Sequence, residues 1–227
     1  MFNLMNVSYL YDGGVRALDD VSLHIEKTQA VALVGHNGCG KTTLLRMLNG
    51  LVTPRRGKYF FDGKNVDKHT LKDANFAKGL HRRVGFVFQN VDAQLFCGSV
   101  DDEIAFGPRQ LGLSEQECRR RIDDSLKLLG IENLRSRAPY AASGGEKRKI
   151  AFACVLSLNP EALVMDEPLA GLDLNAQERI LELLKSLRAA KKTIVFATHN
   201  EKLVEEIADL RVQMDAGKIV ALDVVRK

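Results

Sequence analysis

Short apolar runs without polar alternation recur along the chain at Ala30 to Val34, Val84 to Phe88, Ala162 to Met165 and Thr193 to Ala197. Such runs predict strands buried on both faces of a parallel sheet. Looser alternation over residues 2 to 11 and Ala17 to Ile25, around a Gly13-Gly14 turn, predicts two earlier strands, with Val21, Leu23 and Ile25 on one face. Lys58 to Phe61 with Asp62-Gly63 reads as strand and turn, and Leu210 to Met214 and Lys218 to Leu222 flank a turn at Ala216-Gly217. Leu44, Leu45, Met47, Leu48 and Leu51 recur at helical spacing and end near Asn49-Gly50. Residues 145 to 158 predict a helix burying Ile150, Phe152, Ala153 and Leu156, and Asn175 to Ala190 one burying Ile180, Leu183, Leu184 and Leu187. Residues 90 to 142 carry no strong strand. There Ser114 to Glu117 reads as a helix start with a capping box, and Cys118, Ile122, Leu126 and Leu129 share one face before Gly130. The pattern is an α/β core with a helical insertion, without internal repeats or low-complexity linkers.

Chemistry gathers where the apolar runs end. After Val34 comes Gly35-His36-Asn37-Gly38-Cys39-Gly40-Lys41-Thr42, the phosphate-binding spacing G-x-x-x-x-G-K-[ST] between a strand and a helix. Glycines let backbone N–H groups close around an anion at the positive end of a helix. Lys41 is then placed for the β- and γ-phosphates of ATP and the Thr42 hydroxyl for Mg2+. The run at 162 to 165 ends in Asp166-Glu167, a carboxylate pair suited to holding magnesium and to orienting or deprotonating the attacking water. Gln89 closes the run at 84 to 88, and Thr198-His199 closes the run at 193 to 197, where an imidazole can reach a γ-phosphate. Tyr11 is a candidate platform for adenine or a plain core tyrosine.

Composition narrows the class. The chain has 227 residues, 45% of them hydrophobic, enough for one large α/β domain. No apolar run reaches bilayer length and the N-terminus does not read as a signal peptide, so a soluble cytosolic protein is expected. The four cysteines, at 39, 97, 118 and 154, form no C-x-x-C pair, which argues against a zinc site or a disulfide framework. Cys39, inside the loop at a helix N-terminus, is expected to be reactive, with alkylation blocking nucleotide binding. The net charge is +4, and the basic clusters, Lys147 to Lys149 among them, are short and interspersed with acids. They read as solvated surface rather than a nucleic-acid track.

Ala142-Ser143-Gly144-Gly145-Glu146, just before a helix and 23 residues ahead of Asp166, completes an ordered set of motifs. With it the chain resembles the nucleotide-binding subunits of ABC transporters along nearly its whole length. GHNGCGKT looks like the Walker A loop, Gln89 the Q-loop glutamine, ASGGE the LSGGQ signature, ALVMDE at 162 to 167 Walker B, Ala170 to Asp173 the D-loop and His199 the switch histidine. Ala142 departs from leucine and Glu146 from glutamine, and Asn200 stands where aspartate is more usual. Phe88-Gln89-Asn90, Gln94-Leu95-Phe96 and Ile104 to Pro108 look like the ATPases of energy-coupling-factor importers for vitamins, cobalt or nickel.

The resemblance implies a P-loop NTPase core with a mainly parallel sheet, an N-terminal antiparallel β subdomain and an inserted helical subdomain. It implies one ATPase domain over 1–227, with 1–89 and 143–227 as core and 90–142 as insertion. Nucleotide contacts fall on Tyr11, Gly35, His36, Asn37, Gly38, Cys39, Gly40, Lys41, Thr42 and Thr43. Thr42, Gln89 and Asp166 fall on Mg2+, and Glu167, His199 and Gln89 on catalysis. Ser143, Gly144, Gly145 and Glu146 would meet the ATP of a second ATPase subunit, identical or different, in a head-to-tail pair, and Asp173 falls in the D-loop. Integral membrane partners, with a coupling helix between core and insertion, would hold the chain at the cytoplasmic face of the membrane. A conventional ABC transporter ATPase for another substrate, or a soluble ABC ATPase acting on nucleic acid or ribosomes, remains open at this point.

Overall fold

The computed structural model describes residues 1–225. Strands β1 (Phe2–Leu10) and β2 (Arg16–Ile25) pair antiparallel, and Tyr11 follows β1 into the turn rather than ending the strand. After β3 (Ala30–Val34) the chain loops into α1 (Lys41–Leu48), then returns through β4 (Arg56–Phe61) and β5 (Lys64–Asn65). Helix α2 (Ala74–Arg83) leads to β6 (Val84–Val87). Between β6 and the next core helix lie α3 (Val100–Gln110) and α4 (Glu115–Leu129). The rest runs α5 (Gly144–Leu156), β7 (Ala162–Asp166), α6 (Leu174–Ala189), β8 (Thr193–Ala197), α7 (Glu201–Ile207), β9 (Leu210–Asp215) and β10 (Lys218–Val224).

The strands form two sheets. The smaller is antiparallel, in the order β2-β1-β4-β5; the larger runs β10-β9-β3-β8-β7-β6. In the larger sheet only the β10–β9 pairing is antiparallel. Its central strands are apolar throughout because both faces are covered. Ala30, Ala32 and Val34 of β3 join a core with α3 to α7, while Val31 and Leu33 face α1 and the smaller sheet. β7 and β8 divide likewise, Leu163, Met165, Ile194 and Phe196 on the first side and Val164, Val195 and Ala197 on the second. Parallel alignment puts the carboxyl ends of β3, β8, β7 and β6 along one edge, where ligands of open α/β sheets bind.

The departures from the sequence pattern have local causes. Leu51 continues the α1 spacing but is 46% exposed, because Gly50 (φ 77°) turns the chain out of the helix before it. Ser114 caps α4 by accepting the Glu117 N–H, but the capping box is not closed; the Glu117 carboxylate turns to Arg120 and Arg121 instead. Leu156, expected in the core, is only half-buried at the flank of α5. Helix α2 buries Leu80 alone, and α3 carries Gly107 and Pro108 in its last turn, so neither shows a clean apolar stripe.

Candidate nucleotide site

The loop after β3 is shaped by two glycines that tolerate no substitution. Gly35 (φ +145°) would bring a Cβ to 2.1 Å from the Met214 carbonyl oxygen, and Gly40 (φ +107°) to 2.4 Å from the Ala17 carbonyl oxygen. Lys41 lies almost buried along this loop, its Nζ donating to Gly35 O at 2.6 Å and His36 O at 2.9 Å. The Thr42 hydroxyl donates to Asp166 Oδ2 at 2.6 Å, so α1 brings the loop against the end of β7 although β8 lies between β3 and β7. Asp166 is itself 3% exposed.

Glu167, one residue on, takes a left-handed backbone (φ 48°), rare for a residue with a side chain. Its N–H donates to Ala197 O at 3.0 Å, pinning the turn to β8. Thr198 Oγ1 donates to Glu167 Oε2 at 3.3 Å, while Glu167 Oε1 is buried with no hydrogen-bond partner. His199 Nε2 lies 3.5 Å from that oxygen and 3.0 Å from Asn37 Oδ1, to which it donates as the Nε2–H tautomer. At the other end of the site, the Tyr11 hydroxyl bonds Thr43 Oγ1 at 3.1 Å, and the Tyr9 ring meets Tyr11 edge-on at 5.0 Å between centroids.

These groups line one cavity of about 600 Å³: Tyr11, Asn37, Gly38, Gly40, Lys41, Thr42, Thr43, Gln89, Asp166, Glu167 and His199, joined by Val15, Arg16, Ala17 and Ala170. Val15, Arg16 and Ala17 gave no motif in the sequence, whereas Ala170 opens the stretch that resembles the D-loop. Gly35, His36 and Cys39 build the loop without lining the cavity. For Cys39 this is a correction: its side chain is 4% exposed and packs in the core beneath the loop, so the expected reactive thiol is shielded from reagents. All four cysteines are free thiols. Thr42, Gln89, Asp166 and Glu167 offer only oxygen or amide groups, and Glu167 Oε1 is buried without a hydrogen-bond partner. Such a sparse, hard donor set fits Mg2+ that keeps waters and phosphate oxygens among its ligands.

The helix start at Ser143, expected to meet a phosphate, lies outside this cavity. Ser143 caps α5 in a closed box: its Oγ accepts the Glu146 N–H at 3.3 Å, and a Glu146 carboxylate oxygen accepts the Ser143 N–H at 2.7 Å. That bond holds the Glu146 carboxyl below its ordinary value, helped by Arg137 at 3.7 Å. Gly144 and Gly145 follow, and none of the four lines the cavity. Asp173 caps α6, accepting the Ala176 N–H at 2.8 Å, also outside it.

The family model for ABC transporters matches residues 18–170, about two thirds of the chain. The chain belongs to the ABC transporter family. As an ABC ATPase it binds ATP and couples its hydrolysis to transport. It is 45% identical to the nickel import ATP-binding protein LarO of Lactiplantibacillus plantarum, over 100% of this chain and 93% of that protein. It is 43% identical to the cobalt import ATP-binding protein CbiO of Rhodobacter capsulatus, over 95% of this chain and 75% of that protein. Among solved structures, CbiO1 of Clostridium perfringens, part of the ABC transporter complex CbiONQ, superposes with a TM-score of 0.84 at 33% identity, over 98% of this chain and 88% of that one. A dimeric ATP-binding cassette in a post-hydrolysis state with ADP and Pi gives 0.91 at 26% identity, over 100% of both chains. The P-loop NTPase fold with its mainly parallel sheet and antiparallel N-terminal sheet is the one this ABC ATPase was expected to have.

Proposed function

We propose that this ABC ATPase powers uptake of a metal ion, nickel or cobalt, or of a vitamin, working as a head-to-tail pair of ATPase subunits beneath membrane partners. The observation that carries the pairing is the separation of the two anion-binding ends. The loop at Gly35 to Thr42 and the α5 start at Ser143 both offer backbone N–H groups, yet only the first lines this chain's cavity. A second subunit supplies the missing end, with Ser143, Gly144 and Gly145 of each chain meeting the ATP held by the other. Glu146 and Asp173 stand at the same junction. Residues 90–142 act as a helical insertion within a single ATPase domain.

In this reading Lys41 and the loop amides hold the β- and γ-phosphates and Tyr11 stacks on adenine. Thr42, Asp166 and Gln89 hold Mg2+, which when bound would draw charge from the phosphate oxygens. Glu167 accepts a proton from the attacking water as its oxygen bonds to the γ-phosphorus and the bond to ADP breaks. His199, kept in place by Asn37, hydrogen-bonds the γ-phosphate.

The metal class is supported by relatives named for nickel and cobalt import. A membrane partner is supported by the aromatic pair Phe96 and Phe106, 66% and 44% exposed and edge-on at 4.9 Å, on the stretch between β6 and α4. Among the described residues no helix is long and apolar enough to cross a membrane. In this reading the partners carry the transport path and this chain sits on their cytoplasmic face. Glu167→Gln tests the core of the proposal: turnover is lost and ATP drives a stable dimer on gel filtration. Undiminished hydrolysis, or a monomer at saturating ATP, contradicts it.

A further inference from the structure

The triplet Lys147 to Lys149 reads in the sequence as solvated charge, but its first two members tie α5 to the segment after β6. Arg148 is 5% exposed. Its Nη1 donates to Phe88 O at 3.0 Å and its Nη2 to Gln89 O at 2.9 Å. Lys147 Nζ donates to Asp92 Oδ1 at 2.7 Å. The segment they grip is folded on itself: Phe88 N–H donates to Gln94 Oε1 at 3.3 Å, and the Asp92 N–H to Asn90 Oδ1 at 3.1 Å. The sheet register ends at Val87, so residues 88 to 94 ride on α5.

A buried guanidinium is costly unless its donors are met and its charge is answered. Burial pulls the Arg148 pKa down, and the carboxylates of Asp166 and Glu167 push it back up, so this cation lies in the field of the nucleotide site. Its rigid fork meets two successive carbonyls from two nitrogens held in one plane, a fixed geometry that a flexible ammonium does not impose. The helix it stands on begins at Ser143, and the residue whose carbonyl it holds, Gln89, lines this chain's own cavity.

We propose that Arg148 is a positioning residue that makes the Gln89 segment and the Ser143 end of α5 move as one body. Engagement of Gln89 at a subunit's own nucleotide thereby sets the helix end that the subunit presents to its partner's nucleotide. The inference rests on the head-to-tail pairing proposed above.

The test uses the full chain in a Glu167→Gln background, with and without Arg148→Lys or Arg148→Gln. Three quantities are read: ATP binding by the dilute monomer, the subunit concentration at which Mg·ATP drives dimerisation, and the melting temperature. Arg148→Lys keeps the charge and loses the fork. It should leave monomer binding within about threefold and raise the dimerisation concentration by roughly tenfold. Arg148→Gln should be worse on the second count. A merely structural role would lower melting temperature and binding together, with Arg148→Lys restoring both and pairing as well; that result overturns the inference. Unchanged pairing in Arg148→Lys at intact stability overturns it too. Failure of Glu167→Gln alone to pair removes the dimer reading beneath it, a result distinct from either.

Discussion

Gly40 shows how a single residue carries the site. A Cβ there meets the backbone oxygen of Ala17, an atom held in β2 that cannot swing aside. Gly40→Ala should therefore cost on the order of 2–3 kcal/mol and abolish ATP binding, read as a fall in the urea midpoint and by equilibrium binding. Lys41→Ala removes the one ammonium placed across the loop and should lower hydrolysis by about 10²-fold or more, with weakened ATP binding. These residues are legible in the sequence because the loop chemistry fixes their spacing. Other features are not. The left-handed backbone of Glu167 is held by its hydrogen bond to Ala197 O in β8, and the Asn37–His199 hydrogen bond joins positions far apart in the chain; no periodicity reports either. Cys39 misleads because its position beside a helix end says nothing about which way its side chain points, and it points into the core. Arg148 gave no readable signal: α5 is buried at Ile150 and Ala153 as well as at Ala151, Phe152 and Val155, so no one stripe sets it apart from the run of basic residues.

Among the elements, α5 departs most from what a plain helix start would be. Glu146 at its third position accepts the Ser143 N–H, so a carboxylate already occupies part of the helix end proposed to meet a phosphate. Glu146→Gln keeps an acceptor for that N–H but removes the negative charge. In the Glu167→Gln background it should tighten ATP-driven pairing by roughly fivefold at low salt, with the difference shrinking as salt rises. The same carboxyl has a folded pKa below its ordinary 4.5, because the charged form is the hydrogen-bonded one. Its contribution to stability is present above about pH 4.5 and is lost as pH falls through the lower folded value. An acid titration followed by circular dichroism should show a shallower acid limb for Glu146→Gln than for the wild type. Strands β3, β6, β7 and β8 of the larger sheet were readable to within a residue because burial on both faces leaves no alternation to misplace. The insertion was readable only in α4, whose stripe of Cys118, Ile122, Leu126 and Leu129 is buried throughout. Glycine and proline interrupt the pattern in α3, and α2 buries too little to produce one.

For the whole molecule, the parallel sheet sets every chemical group along one edge, and the chain presents its second anion-binding end elsewhere. That division is what the proposed head-to-tail pairing uses, with the Gln89 segment proposed to report nucleotide state to another protein. The exposed Phe96–Phe106 pair lies on the stretch that follows, where a partner helix would be gripped. Replacing both with serine should leave ATP-driven pairing of the isolated chain intact and reduce recovery of membrane partners several-fold, checked by pull-down from solubilised membranes. The most direct measurement is to tag the wild-type chain in its native cell, solubilise the membranes in mild detergent and identify what co-purifies with ATPase activity. Recovery with integral membrane proteins, one shared scaffold and a small substrate-binding protein, and hydrolysis that depends on them, is the expected result. Recovery from the soluble fraction with ribosomes or nucleic acid, and hydrolysis stimulated by these instead, contradicts the transport reading.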